Sequence, residues 1–349
     1  MHSATHLAQL DSAARLPELQ ANRHNACRID ISPRAGCGCK LDGSALVDAL
    51  VQTGYVSSSQ EFTPQDSALR EWVSGLILLT TDGGAPVWHQ PREAAAVAVF
   101  HAFSDLYARG AIAKYALSTV VLADDAEPTV LSEFLIGIRE ACEREGAEVV
   151  NGQTLRGPEN FLSIAAVGVP LTGRVLAKQG AELGDRILLS KPIGTGFLLR
   201  ATALEDASDE EQRAVIEVMK TSNLAAMRTA IHAAHACTDV TGFGLIGHLA
   251  EMLPGLGARI RTEALPLLPG VRRLVDNLGP SAYTTNNLAY ARRTHQVEAV
   301  SQYAELLTSD PQTSGPLLVM VPEAQASELI KGGYTDIGVV EAPPVITLI

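Results

Sequence analysis

Between Pro91 and Gly110 the chain is apolar nearly all round, with Ala94-Ala95-Ala96-Val97-Ala98-Val99-Phe100 leaving no polar stripe. Proline suits the first turn of a helix and glycine its end, so the segment predicts one helix. A helix without a polar face has to be buried. A chain of 349 residues with an apolar share of 46% can supply the cores this requires, and its length suggests two domains. Ser104 and Asp105 stand near the end of this helix, and a carboxylate there wants a partner or a metal.

The rest of the chain alternates strand and helix patterns. Leu76-Ile77-Leu78-Leu79-Thr80 reads as a buried strand ending at Thr81-Asp82-Gly83-Gly84. A strand over 117–122, an amphipathic helix (Val130, Leu131, Phe134, Leu135, Ile138, Cys142) and a strand over 164–169 follow. Residues 170–173 mark a boundary. The second half opens with Ile187-Leu188-Leu189 and the turn Gly194-Thr195-Gly196. Ser208 and Glu211 form a capping box before a helix. Thr238-Asp239-Val240-Thr241-Gly242-Phe243-Gly244 leads into a helix with Leu245, Ile246, Leu249, Met252 and Leu253 on its apolar face. Strand-like runs at 317–319 and 337–340 close the chain. Both halves mix strands with helices and no short-period repeat is present, so the class is α/β or α+β. Residues 1–30 lack periodicity and residues 51–65 read as linker.

A formal net charge of -12 argues against a nucleic-acid or anionic-membrane surface as the main partner. It leaves ATP open, provided cations bridge carboxylates to phosphates. The five cysteines (Cys27, Cys37, Cys39, Cys142, Cys237) show no secreted disulfide framework. No signal peptide is evident at the start, and no apolar run reaches membrane-spanning length. A cytoplasmic, reducing setting follows by default.

Chemistry concentrates in a few places. In Gly36-Cys37-Gly38-Cys39-Lys40 a nearby ammonium favours the thiolate, and the glycines let the backbone bend and a substrate approach. A structural thiol pair, or half of a zinc site with His24 and Cys27, is the alternative reading. Asp66, Asp82, Asp105, Asp239 and Asp310 each lie at a turn or element end beside Gly, Ser or Thr. Such aspartates serve as caps or Asx-turns, or as ligands of Mg²⁺, which takes one or two carboxylates plus substrate phosphates. Gly242-Phe243-Gly244 at a helix start and Gly194-Thr195-Gly196 offer backbone N–H groups to an anion, or are plain tight turns.

Taken together, Gly36-Cys37-Gly38-Cys39-Lys40, Thr80-Thr81-Asp82, Ser104-Asp105, the 238–244 motif with Gly247-His248, and Asp310-Pro311-Gln312-Thr313-Ser314-Gly315 resemble selenophosphate synthetase (selenide, water dikinase), in order and from about residue 34 to the end. That family belongs to the aminoimidazole ribonucleotide synthetase superfamily and makes selenophosphate from selenide, ATP and water, releasing AMP and phosphate, with Mg²⁺. The resemblance implies a homodimer with a two-domain α+β, α/β fold: an N-terminal mixed sheet pairing in a dimer barrel and a C-terminal α/β domain. Boundaries would be 1–60 for the arm and catalytic loop, 61–172 for the ATP- and metal-binding domain and 173–349 for the C-terminal domain. It further implies Cys37 and Lys40 as catalytic residues, Asp66, Asp105 and Asp239 as metal ligands, and Lys40, Asp82, Asp105, Gly152 and Thr154 at the nucleotide.

The chain departs from the family pattern at several points. Pro64-Gln65-Asp66-Ser67-Ala68 stands for Gly-Asp-Asp-Ala-Ala, so one carboxylate is missing. Gly83-Gly84 replaces aromatics, His101 replaces an asparagine, Asn151-Gly152-Gln153-Thr154 replaces Gly-Gly-His-Ser/Thr, and Pro316 replaces a glycine. These changes mark a divergent branch and raise the hypothesis of a selenium-containing small molecule as the destination of the product. A sulfide-using paralogue forming thiophosphate and a silent nucleotide-binding paralogue are the alternatives. Competition between selenide and sulfide separates the first of these, and Mg-ATP binding without turnover identifies the second.

Overall fold

The apolar helix does lie at the centre of the molecule. The computed structural model describes residues 66–72 and 75–349, together with Val51. Helix α1 (Pro91–Ala108) buries residues on every side, among them Val97, Phe100, His101, Phe103, Ser104 and Tyr107. Gly110 ends it in a left-handed conformation (φ +76°), with Ile231 and Leu176 too close for a β-carbon to be added freely. One side of α1 lies on a five-stranded sheet and the other meets the second half of the chain.

The first sheet contains β1 (Ala68–Trp72), β2 (Gly75–Gly84), β3 (Ala111–Ala123), β4 (Glu148–Gly157) and β5 (Phe161–Pro170), in the order β1-β2-β5-β3-β4. Only β3 and β4 run parallel; α2 (Pro128–Arg144) makes the crossover between them. Helices α1 and α2 cover one face. The two-residue alternation of strands puts Leu78, Thr80 and Asp82 of β2 toward α1 and Leu79 and Thr81 away from it. The opposite face exposes Leu79, Tyr115, Leu117, Val150, Leu155 and Phe161.

The second half holds β6 (Arg186–Leu189), α3 (Thr195–Ala203), α4 (Asp209–Met219), α5 (Leu224–Ala230), β7 (Ala236–Asp239), α6 (Gly244–Met252), β8 (Gly257–Ile260), α7 (Val271–Leu278) and α8 (Ala282–Ala291). After these come β9 (Gln296–Ala299), α9 (Gln302–Ser309), β10 (Leu317–Val321), α10 (Glu323–Lys331), β11 (Thr335–Glu341) and β12 (Val345–Leu348). Its seven strands form one mixed sheet, β7-β10-β6-β11-β8-β12-β9, parallel only where β12 meets β8 and β9. The architecture is therefore α+β, two mixed sheets with helices, as the patterning implies. The Ser208–Glu211 capping box forms as read from the sequence, with the Glu211 N–H donating to Ser208 Oγ at 3.3 Å and the Ser208 N–H to Glu211 Oε2 at 2.8 Å.

One sequence expectation needs adjustment. The strand read as 76–80 runs on through Gly84, so Asp82 lies within β2 and not after it. The 151–154 segment and residues 236–239 are strands, β4 and β7, which their compositions do not announce. The arm and catalytic loop at 1–60, with Cys37 and Lys40, and the 51–65 linker lie outside the described residues apart from Val51. Among the described residues no helix is long and apolar enough to cross a membrane.

Candidate active site

Four of the five turn aspartates gather where β2, α1 and β7 converge. Thr80, on the inward row of β2, donates its hydroxyl to Asp105 Oδ2 at 2.5 Å and stands 3.3 Å from the Asp66 carbonyl. Asp105 reaches this point because it lies one residue beyond Ser104 on the buried helix. Asp239 ends β7 and is 1% exposed, facing α1.

Asp66 is held by two donors. Lys178 Nζ lies 2.8 Å from its Oδ1, and Thr238 Oγ1 is 3.0 Å from both carboxylate oxygens. The same ammonium is 2.8 Å from Glu251 Oε2 on α6. Burial alone would lower the Lys178 pKa, but Asp66 and Glu251 outweigh it and the net shift is upward. In turn Lys178, aided by His248, holds the buried Glu251 carboxyl down at about 2. His248 Nε2 accepts the Thr241 N–H at 3.0 Å, and Tyr290 donates to Glu251 Oε1 at 3.0 Å.

Asp239 is different. Its Oδ2 is buried with no hydrogen-bond partner among the described residues. Burial, and then the Asp66 charge, raise its pKa, while His101, His248 and Ser104 pull it back. An orphaned buried carboxylate oxygen is costly unless a cation or donor meets it, and a hard cation has the fitting chemistry. Among the described residues, however, no three His, Cys, Asp or Glu side chains stand together as a ready metal cage.

Asp82 and His101 form the other wall. His101 Nε2 is 2.9 Å from Asp82 Oδ2, and its Nδ1 accepts the Ser314 N–H at 3.1 Å. The second bond assigns the ring proton to Nε2, so the Asp82 contact is a donated hydrogen bond. The imidazole thus ties β2 to the 310–315 loop of the second half. Lys191 and Asn223 anchor the same loop: Lys191 Nζ donates to Ser314 O at 2.7 Å and Thr221 O at 2.9 Å, and Asn223 Nδ2 to Gly315 O at 2.9 Å and Ser104 Oγ at 2.8 Å. Burial pushes the Lys191 amine down to about 7, against the pull of Asp239. A small cleft opens beside Asp82 and His101, walled by Pro86, Val97, Leu162 and Thr313.

Asp310 does not join the cluster. Its Oδ2 accepts from the N–H groups of Gly196 and Phe197 (3.1 and 3.3 Å) and from Gln312 Nε2 (2.8 Å). Gln312 Oε1 accepts from the N–H groups of Gly194 and Thr195 (2.8 and 3.1 Å). The start of α3, an anion-site candidate by sequence, is therefore filled by the chain itself. Gly244 likewise serves close packing: at φ +67° its β-carbon would lie 2.8 Å from the Ser309 backbone. Gly152 and Thr154 sit exposed on β4 at the far edge of the first sheet. Three strand spacings, about 14 Å, separate them from β2 within one chain.

Sequence reasoning missed Lys178, Glu251, Lys191 and Asn223. Lys178 lies in the irregular connector between the sheets and belongs to no motif. Lys191, just after β6, carries one signal, a charge flanking an apolar strand, and such charges are ordinarily solvated.

Comparison with known proteins gives the family of the chain. Residues 65–170 match the AIR synthase related protein, N-terminal domain, and 182–348 its C-terminal domain. The selenide, water dikinase of Myxococcus xanthus is 32% identical over 313 residues, 86% of this chain and 89% of the relative. That of Escherichia coli K12 is 34% identical over 317 residues, 86% and 90% respectively. Among solved structures, thiamine monophosphate kinase from Aquifex aeolicus superposes with a TM-score of 0.67 at 24% identity, covering 88% of this chain and 97% of the other. The hydrogenase maturation protein HypE in complex with ATP gives 0.62 at 18%, covering 80% and 84%. With both domain models matched and these relatives aligned over most of its length, the chain belongs to the AIR synthase related proteins, in the selenide, water dikinase family.

Proposed function

We propose that this protein makes selenophosphate from selenide, ATP and water, releasing AMP and phosphate. The observation that carries the reading is the set of contacts that joins Asp82 through His101, and Asp105 through Thr80 and Asp66, to the buried Asp239 at the end of β7, beside an apolar cleft, in a chain whose relatives are named for this activity. Asp105 and Asp239 would hold Mg²⁺, which supplies charge neutralisation to a bound triphosphate. The cleft beside Asp82 gives the base an apolar wall. His101, Lys191 and Asn223 keep the 310–315 loop closed over the acids, which excludes water from the site.

Cys37 and Lys40 complete the proposal from outside the described residues. Selenide is the soft nucleophile that takes the phosphoryl group; the Cys37 loop would position it without a bond to selenium, and the Lys40 ammonium would offset phosphate charge. The open face of the first sheet fits a second copy of the chain, because contiguous exposed apolar side chains on a sheet mark an interface. Such pairing would let Gly152 and Thr154, remote from the acids of their own chain, act at the partner's nucleotide.

The test is anaerobic phosphorus NMR of the protein with ATP, Mg²⁺ and selenide, alongside a sulfide control. A selenophosphate signal with AMP and phosphate is expected, and Cys37→Ser should abolish it while leaving the fold unchanged. ATP hydrolysis without selenophosphate, or no reaction, would overturn the proposal.

A further inference from the structure

Lys178 stands where a cation would be needed. Its Nζ lies 2.8 Å from Asp66 Oδ1, and Lys178 and Asp66 expose only 4% and 5% of their side chains. Thr238 Oγ1 meets both Asp66 oxygens at 3.0 Å, so each already has a donor. Nor is the ammonium easily displaced. Glu251 holds it from the other side at 2.8 Å, and Glu251 is fixed by the Tyr290 hydroxyl at 3.0 Å and by His248 at 3.3 Å. If Lys178 swung away, Glu251 would be left as a buried carboxylate without its ammonium partner, a strongly unfavourable state. Asp239 presents the opposite case, with a buried oxygen that has no hydrogen-bond partner among the described residues.

We propose that Lys178 is the resident cation of Asp66, so that in this chain Asp66 accepts an ion pair and is not a ligand of the divalent ions. The inference rests on the reading of the acids as a Mg-ATP site and deepens it. In the sequence Gln65 stands where the family pattern has a carboxylate, and in the structure Lys178 neutralises Asp66. The site then takes fewer divalent ions than its three motif aspartates would suggest. Asp66 becomes a positioning residue, linking the start of β1 to the connector and to α6.

The experiment counts Mn²⁺ ions bound per chain, by the EPR signal of free Mn²⁺, on the full-length protein with a non-hydrolysable ATP analogue. Lys178→Met keeps the bulk and removes the charge; it should bind one more ion per chain than the wild type. Asp66→Asn should bind the wild-type number. The double variant should return to the wild-type number as well. Loss of an ion in Asp66→Asn, or an unchanged number in a natively folded Lys178→Met, would overturn the inference. If Lys178→Met does not fold, the Asp66→Asn count decides alone. Asp239→Asn separates the inference from the reading beneath it: absence of Mn²⁺ binding in the wild type, or a full complement in Asp239→Asn, would remove the Mg-ATP reading and the inference together.

Discussion

His101 joins two halves of the chain through two different hydrogen bonds, and the two can be severed one at a time. Its Nε2 faces Asp82 Oδ2 at 2.9 Å and its Nδ1 the Ser314 N–H at 3.1 Å. A hydrogen bond to a charged group contributes about 1.5–3 kcal/mol, and an orphaned buried donor costs about 1–3 kcal/mol. An asparagine oxygen lies near the place of Nδ1, whereas glutamine reaches that of Nε2. His101→Asn should therefore keep Ser314 and release Asp82. Asp82 retains the Gly83 N–H at 2.7 Å and is 11% exposed, so water can replace part of the loss. The expected destabilisation is about 1–2 kcal/mol. His101→Gln should keep Asp82 and orphan the Ser314 N–H, in a residue only 1% exposed, at about 1–3 kcal/mol.

His101→Ala removes both bonds. Because the two share one ring, their costs need not add, and about 3 kcal/mol is expected. The assay is urea unfolding, with the midpoint shift read at constant slope. Nucleotide affinity measured by calorimetry should follow the same order, since the ring closes the loop beside the cleft. An alanine variant within about 0.5 kcal/mol of the wild type would refute the argument, because surface substitutions without structural consequence fall in that range.

Other perturbations test other parts. Burial pushes the Asp310 carboxyl from 3.8 up to about 7 against three hydrogen bonds that pull it down. Protonation is then favoured in the folded state, so this contribution to stability is full below pH ~4 and is lost as pH rises through about 7; Asp310→Asn should flatten the fall in Tm between pH 4 and 8, and a variant with the wild-type slope would count against the shift. Gly196→Ala would place a β-carbon 2.4 Å from both Asp310 Oδ1 and Pro311 O; overpacking of about 1–3 kcal/mol should appear in thermal unfolding. Asp239→Asn should weaken Mg-ATP binding while Tm holds or rises, since an uncompensated buried charge is removed; unchanged affinity would exclude Asp239 as a ligand. Leu117→Glu, on the open sheet face, should shift light-scattering mass to the monomer, and an unaltered dimer would place the interface elsewhere.

The buried helix, the capping box and the mixed α+β character were all legible in the sequence, because each has a local cause: an unbroken apolar surface, a Ser-x-x-Glu spacing, an alternation of patterns. What was not legible depends on partners distant in the chain. β4 has two valines and then Asn-Gly-Gln-Thr, and becomes a strand because β3 offers it a ladder. β7 has four residues. Lys178 and Glu251 are 73 positions apart and meet only after folding. Their charges give no sign in the sequence that they will be buried.

The aspartates show why a shared local signature did not separate two jobs. In the sequence Asp82, Asp105, Asp239 and Asp310 all read as element ends or turns beside small residues, as caps and ligands both do. The number of donors aimed at each carboxylate divides them. Asp310 receives two backbone N–H groups and an amide, and this completes the start of α3 from 113 residues away in the chain. Asp239 keeps a buried oxygen with no hydrogen-bond partner among the described residues. A carboxylate already supplied with donors gains little from a cation, whereas one denied both water and donors gains most. On that physical ground Asp239, at the end of β7, is the aspartate expected to gain most from a bound cation. The Asp-Pro-Gln-Thr-Ser-Gly loop acts one step removed, holding His101 and the wall of the cleft in place.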